Sequence, residues 1–208
     1  MIFHPEVLTG RQVRVLDAIA PVSEAGHFYL AGGTAIALRC GHRRSEDFDW
    51  FAARVGRPEA LAARIRKTDL GLDSLELAAG TVNCRIGEVK VQFLEFAYPL
   101  LEGTDAWPEK RVALASLRDL GAMKLLAIAQ RGARKDFVDV YALLRQGMTL
   151  PNMLDDFRAK FKADPMPVLR GLAFFDDAEL EPMPEMLAAV SWPKVRKGIA
   201  DALRAVLR

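Results

Sequence analysis

The chain lacks a disulfide framework. Its 208 residues include only two cysteines, Cys40 and Cys84, and neither sits in a CxxC pair, so both read as small buried hydrophobes. A long apolar run is also missing. The longest stretch without Asp, Glu, Lys or Arg, Ala25–Leu38, covers 14 residues and contains His27 and a Gly-Gly pair, which is short of the ~20 residues of a membrane span. The opening segment MIFHPEVLTGRQ has no basic patch leading into an apolar core, so secretion is not expected and the chain reads as cytoplasmic. Charge of one sign is absent too: 29 Lys+Arg face 27 Asp+Glu, a formal net charge of +2. With 51% hydrophobic and 27% charged residues, the composition is that of a folded globule and excludes a disordered polyelectrolyte. Near-neutrality as a sum says nothing of partners; its distribution carries the information.

Order along the chain is legible from periodicity and punctuation. Thr9 with Gln12 fits a capping box, followed by a helical stripe of Val13, Leu16, Ile19 and Ala20 up to Pro21. His27–Ala31 reads as a short strand broken by Gly32-Gly33, and a helix from Thr34 to about Cys40 ends at Gly41. Asp47–Phe51 alternates like a strand, and Pro58–Lys67 like an Ala/Arg-rich helix opening on proline. Ser74–Ala78, Thr81–Ile86 and Val89–Phe96, punctuated by Gly80 and Gly87, predict an antiparallel meander. From Ser116 the pattern is helical: Ser116–Arg131, Arg134–Arg145, Met153–Lys162, Met166–Phe175 and Pro193–Arg208. We therefore expect an α+β fold with a boundary near 105–112, dividing a mixed-sheet core, 1–108, from an all-α part, 109–208.

Three constellations carry chemistry. Gly32-Gly33-Thr34, where a strand turns into a helix, exposes backbone N–H groups suited to an anion; an ordinary tight turn is the plainer meaning. Asp47 and Asp49 lie two apart on a strand, so both carboxylates share a face while Phe48 and Trp50 face the core. A carboxylate pair with substrate phosphates is an ordinary seat for Mg²⁺; alone, it is as well explained by a solvated face balanced by Arg43 and Arg44. The pair follows Gly33 by 14 residues with a helix between, which lets cradle and metal seat face one another. The third set is helical: Lys124 and Arg131 share a face, Lys124 lies in an apolar run, and Asp136 and Asp139 lie i, i+3 on the next helix. A buried ion pair that fixes helix packing explains that set equally well.

Together, Gly32-Gly33-Thr34-Ala35, Gly41-His42-Arg43, Ser45-x-Asp47-Phe48-Asp49, Lys124-Leu125-x-Ala127 and Lys135-Asp136-x-x-Asp139 resemble the AbiEii/AbiGii-type nucleotidyltransferases of the polymerase-β-like superfamily, several of which are toxins of toxin–antitoxin systems. The resemblance implies a two-domain nucleotidyltransferase moving NMP from an NTP to an acceptor hydroxyl, on an RNA (tRNA) end or a protein, with a cognate antitoxin as a candidate partner. It implies Mg²⁺ on Asp47 and Asp49 and nucleotide contacts from Gly32, Gly33, Thr34, His42, Arg43, Ser45, Arg131 and Lys135. Lys124 would touch the triphosphate, and Asp136 and Asp139 would complete the catalytic set. The sequence departs from that pattern at Gln92, aligned to an expected third strand carboxylate; Glu95 would face the other side of the strand. Either Asp136 or Asp139 substitutes, or the enzyme is slow, or the chain only binds nucleotide; the intact helical motif favours substitution. A nucleotide-binding or partner-binding module without turnover, and a small-molecule nucleotidyltransferase, are the alternative readings. Arg54, Arg57, Arg64, Arg66 and Lys67 are expected to coat a solvated helix rather than to hold RNA.

Overall fold

A computed structural model describes residues 2–206. The capping box forms at Thr9 and Gln12, and helix α1 spans Gly10–Ala25. It passes through Pro21, the expected stop, because Val22 and Ser23 stay buried on the same face. One missing N–H near a helix end does not outweigh that packing. Strand β1 (Tyr29–Ala31) is buried at all three positions and turns directly into α2 (Gly32–Cys40). Gly41 closes α2 in the left-handed region, φ 63°, with its N–H donating to the Ala37 carbonyl. Strand β2 (Phe48–Ala52) buries Phe48, Trp50 and Ala52 on one face, as alternation requires. Helix α3 (Pro58–Ile65) follows, and the basic residues in and around it, Arg54, Arg57, Arg64, Arg66 and Lys67, are exposed.

The meander is present as β3 (Leu72–Ala78), β4 (Thr81–Ile86) and β5 (Val89–Glu95), paired antiparallel. Two further strands occupy the expected boundary region: β6 (Asp105–Trp107) and β7 (Val112–Leu114). They complete one mixed seven-stranded sheet in the order β3-β4-β5-β2-β1-β7-β6, in which β5 is parallel to β2 and β7 parallel to β1. The division expected after residue 108 therefore falls inside the sheet, and helices take over only at Ser116. Three-residue strands are too short to show alternation, which is why the sequence concealed them. The fold is α+β, as expected.

The helical half comprises α4 (Leu117–Gln130), α5 (Arg134–Arg145), α6 (Leu150–Phe161), α7 (Met166–Ala173), the short α8 (Asp176–Glu179) and α9 (Trp192–Val206). Ser116 caps α4 by accepting from the Asp119 N–H, and Thr149 starts α6 earlier than expected by accepting from Asn152. The last two residues of the C-terminal helix expected to reach Arg208 lie outside the described residues. One continuous apolar core joins Trp50, Phe93 and Leu30 of the sheet to Leu125, Phe137 and Val168 of the helices. Both cysteines are free, Cys84 buried and Cys40 half-buried. Among the described residues no helix is long and apolar enough to cross a membrane.

A buried ion pair ties α4, α6 and the chain after β5 together. Lys160 Nζ lies 2.6 Å from Asp119 Oδ1 and 2.8 Å from the Pro99 carbonyl, with both side chains fully enclosed. The N–H groups of Leu101 and Glu102 also bond the Asp119 carboxylate. Lys160→Met would leave that carboxylate buried without its cation, and we expect a loss of about 3–5 kcal/mol, read as a lower urea midpoint at unchanged slope.

Candidate active site

The turn from β1 into α2 is built for close approach. Gly32 holds φ +67°, and a Cβ there would lie 2.5 Å from Asp49 Oδ2. At Gly33 a Cβ would collide with the Arg43 guanidinium. The pair is thus glycine because two side chains press against the backbone, whatever else binds there. No side chain caps the start of α2, and Gly33 lines the adjoining cleft. Thr34, expected at the nucleotide, is buried instead. Its hydroxyl meets Ser45 Oγ at 2.6 Å and also contacts the Asp47 carbonyl, so it pins the loop that carries the acidic pair. The Gln12 amide holds the same loop through the Ser45 carbonyl.

Asp47 precedes β2 and Asp49 lies within it, where it is opposite Ala31 of β1 and Gln92 of β5. Both line a cleft of about 780 Å³. Among the described residues neither carboxylate makes a hydrogen bond or an ion pair. Burial and the neighbouring Asp47 charge push the Asp49 carboxyl above its usual range, against the pull of Lys124, Lys90 and Lys135. Two uncompensated carboxylates on one wall fit a divalent cation that takes its other ligands from water and phosphate. No third Asp, Glu, His or Cys joins them in a ligand cluster among the described residues.

The facing wall belongs to α4 and α5. Lys124 Nζ lies 2.9 Å from Asp136 Oδ1 and 2.9 Å from Asp139 Oδ2. Arg131 grips Asp136 through Nε to Oδ2 (2.8 Å) and Nη2 to Oδ1 (2.9 Å). Asp139 is completely enclosed: Oδ1 accepts from Arg43 Nε at 2.7 Å and meets His42 Nε2 at 2.8 Å, while Oδ2 accepts from Arg43 Nη2 at 2.9 Å. Burial would raise the Asp139 carboxyl, but Lys124, Arg43 and His42 reverse that and hold it well below the usual range. Arg131 and Lys124 do the same, less strongly, for Asp136.

Through these contacts every oxygen of Asp136 and Asp139 is already bonded to a cation or to His42. They position Lys124, whose ammonium has three N–H groups, two of them committed to the pair. His42 and Arg43 both reach Asp139, Arg43 also lines the cleft, and among the described residues His42 Nδ1 is buried without a partner. A carboxylate some 96 residues away in sequence was invisible to a local reading. Gln92 does stand across from Asp49, while Glu95 pairs with Ala52 on the other face and accepts from the Val55 N–H.

Arg131, Lys124 and Lys135 line the cleft, together with Arg43 and Ser45. Two lining features were missed. Lys90 shares the Gln92 face of β5, which the period of two would have revealed. The segment 181–186 crosses back over the cleft: the Arg44 N–H donates to the Glu185 carbonyl (2.8 Å), Arg44 Nε meets Glu185 Oε1 (2.7 Å), and Arg43 bridges Met186. Its signal was Pro182 and Pro184 punctuating an otherwise helical half.

A family model described as "Nucleotidyl transferase AbiEii toxin, Type IV TA system" matches residues 14–99 and 97–207. An uncharacterized protein of Aquifex aeolicus (strain VF5) is 32% identical over 184 residues, covering 84% of this chain and 86% of its own. Among solved structures, a candidate nucleotidyltransferase from H. pylori superposes with a TM-score of 0.62 at 16% identity, covering 96% of each chain. JHP933 from Helicobacter pylori gives 0.59 at 13% identity over 97% of this chain and 91% of its own. Both likenesses are of fold.

Asp139→Asn removes the charge on which Lys124 and Arg43 converge, and we expect a loss of about 3–5 kcal/mol at neutral pH. Because the folded carboxyl titrates below its unfolded value, its contribution is complete above about pH 4 and is lost as the pH falls further. Urea titrations of the two proteins across pH should therefore differ most near neutrality and converge in acid; parallel curves would remove Asp139 from this role.

Proposed function

Because the chain belongs to the AbiEii nucleotidyltransferase toxin family, we propose that it transfers a nucleoside monophosphate from an NTP to an acceptor hydroxyl, with Mg²⁺ bound by Asp47 and Asp49. One observation carries this reading: two unpaired carboxylates face the ammonium of Lys124 across a cleft that the unpaired Lys90 and Lys135 also line. The acceptor oxygen forms a bond to the α-phosphorus as the bond to the bridging oxygen breaks. Pyrophosphate leaves, and the hydroxyl proton passes to solvent. Bound metal would neutralise phosphate charge. The protein's task is positioning and charge complementarity rather than covalent chemistry. Lys124, held rigid by Asp136 and Asp139, keeps one N–H for a phosphate oxygen; Arg131 and Lys135 add charge at the rim. Backbone N–H groups at Gly32 and Gly33 suit the triphosphate.

An RNA end or a protein hydroxyl is the acceptor class, and a cognate antitoxin fits the family context. Asp49→Asn should weaken Mg²⁺–NTP binding by tenfold or more, about 1.4 kcal/mol, in calorimetry; unchanged binding places the metal elsewhere. Wild-type protein incubated with α-labelled NTPs, total RNA and lysate protein should move label onto one acceptor class, identified by nuclease or protease sensitivity. The neutral Gln92 opposite Asp49 favours a second reading, a cleft that binds nucleotide without turnover. Intact binding with no transfer from any of the four nucleotides would select it.

A further inference from the structure

Register across the sheet sets Asn83 of β4, Gln92 of β5 and Asp49 of β2 in one row on the cleft face. Gln92 Nε2 donates to Asn83 Oδ1 at 2.7 Å. That bond fixes the amide and leaves Oε1, a neutral acceptor, as the oxygen that Gln92 has to offer. The other acidic side chains at the cleft rim are engaged or solvated. Glu88 pairs with Arg11, Glu185 with Arg44, and Glu181 accepts the Arg134 N–H, while Glu46 is exposed. Lys90 lies two residues before Gln92 on the same face of β5, and Lys135 is the second residue of α5. Neither has an ion-pair partner among the described residues, and both act on Asp49 through space.

A divalent cation needs anionic oxygens, and Mg²⁺ is commonly satisfied by one or two carboxylates and phosphate. Asp47 and Asp49 supply those for one ion. A second ion would have a neutral amide in place of a carboxylate and two ammonium groups nearby, an arrangement that repels it. Resting on the nucleotide-transfer reading, we propose that the cleft takes a single divalent cation. Gln92, clamped by Asn83, excludes a second one, and Lys90 with Lys135 supplies fixed positive charge to the polyphosphate in its stead. Lys90 is thereby a polyphosphate-binding residue, and Gln92 sets the metal count.

The test counts Mn²⁺ by electron paramagnetic resonance on the whole chain saturated with each of the four α,β-methylene nucleoside triphosphates, with nucleotide binding measured in the same samples. We expect one Mn²⁺ per protein–nucleotide complex in the wild type and in Gln92→Ala, and two in Gln92→Glu. Lys90→Ala should weaken analogue binding by about tenfold, about 1.4 kcal/mol, without changing the count. Two Mn²⁺ on the wild type with nucleotide bound would overturn the inference and leave the transfer reading standing. A count of none in Gln92→Ala would make Gln92 a ligand and likewise overturn it. Failure of the wild type to bind any analogue would sink both. Circular dichroism melts establish that Gln92→Glu is folded; should it not fold, the wild-type and Gln92→Ala counts decide alone.

Discussion

Everything at the cleft depends on one enclosed carboxylate. Asp139 has no contact with solvent, and burial disfavours its charge; Lys124, Arg43 and His42 converge on it from α4 and from the loop after α2. An ion so placed is held only if its cations stay in place, so the loop and the helical half are fixed relative to each other. The consequences run outward. Arg43 must cross the start of α2 to reach Asp139, and only a glycine at 33 leaves room. The loop that ends at Arg43 continues to Ser45 and Asp47, where Thr34 and Gln12 hold it. The geometry of the acidic pair is therefore inherited from a buried knot several residues away.

That knot also reassigns the charges. As a sum, +2 conceals two populations of cation. Arg43 is consumed by structure, and Lys124 gives two of its N–H groups to the same purpose. Among the described residues Lys90 and Lys135 remain unpaired around Asp47 and Asp49, and Arg131, although bonded to Asp136, stays exposed at the rim. On the proposed reading phosphate would fall to residues that carry little of the fold, whereas Lys124 belongs to both: its ammonium is held by Asp136 and Asp139 and its side chain lines the cleft. Its long apolar surroundings, Met123, Leu125 and Leu126, are what such a role requires in the sequence.

Much of this was legible, for reasons that differ by element. The capping box, the Gly41 stop and the meander arise from local rules and appear where those rules put them; Asp47 and Asp49 line one cleft, but Asp47 lies just before β2 and not on the strand expected to begin with it. What escaped was non-local or too short. Strands β6 and β7 have three residues each and gain their identity only from pairing beside β1. The shared partner of His42 and Arg43, Asp139, lies almost a hundred residues away, out of reach of any local pattern. Asp136 and Asp139 form a unit with Lys124, and every oxygen of the pair is engaged. Lys90 could have been found from the period of two alone, since Gln92 was already singled out on that strand.

The aperture of the cleft follows from how segment 181–186 is held. Its visible charge contact, Arg44 with Glu185, is partly solvent-exposed, and such pairs contribute roughly 0–1 kcal/mol and weaken with salt. The stronger tether is main-chain. The Arg44 N–H donates to the Glu185 carbonyl, and the N–H groups of Leu187 and Ala188 both donate to the His42 carbonyl. His42 is in turn fixed through its ring to Asp139. This segment of the cleft wall is therefore anchored to the same buried carboxylate as Lys124, through bonds that ionic strength screens little. On the proposed reading, salt should leave the shape of the cleft alone while weakening any attraction of Lys90, Lys135 and Arg131 for phosphate, which separates the part of the site that is architecture from the part that would be affinity.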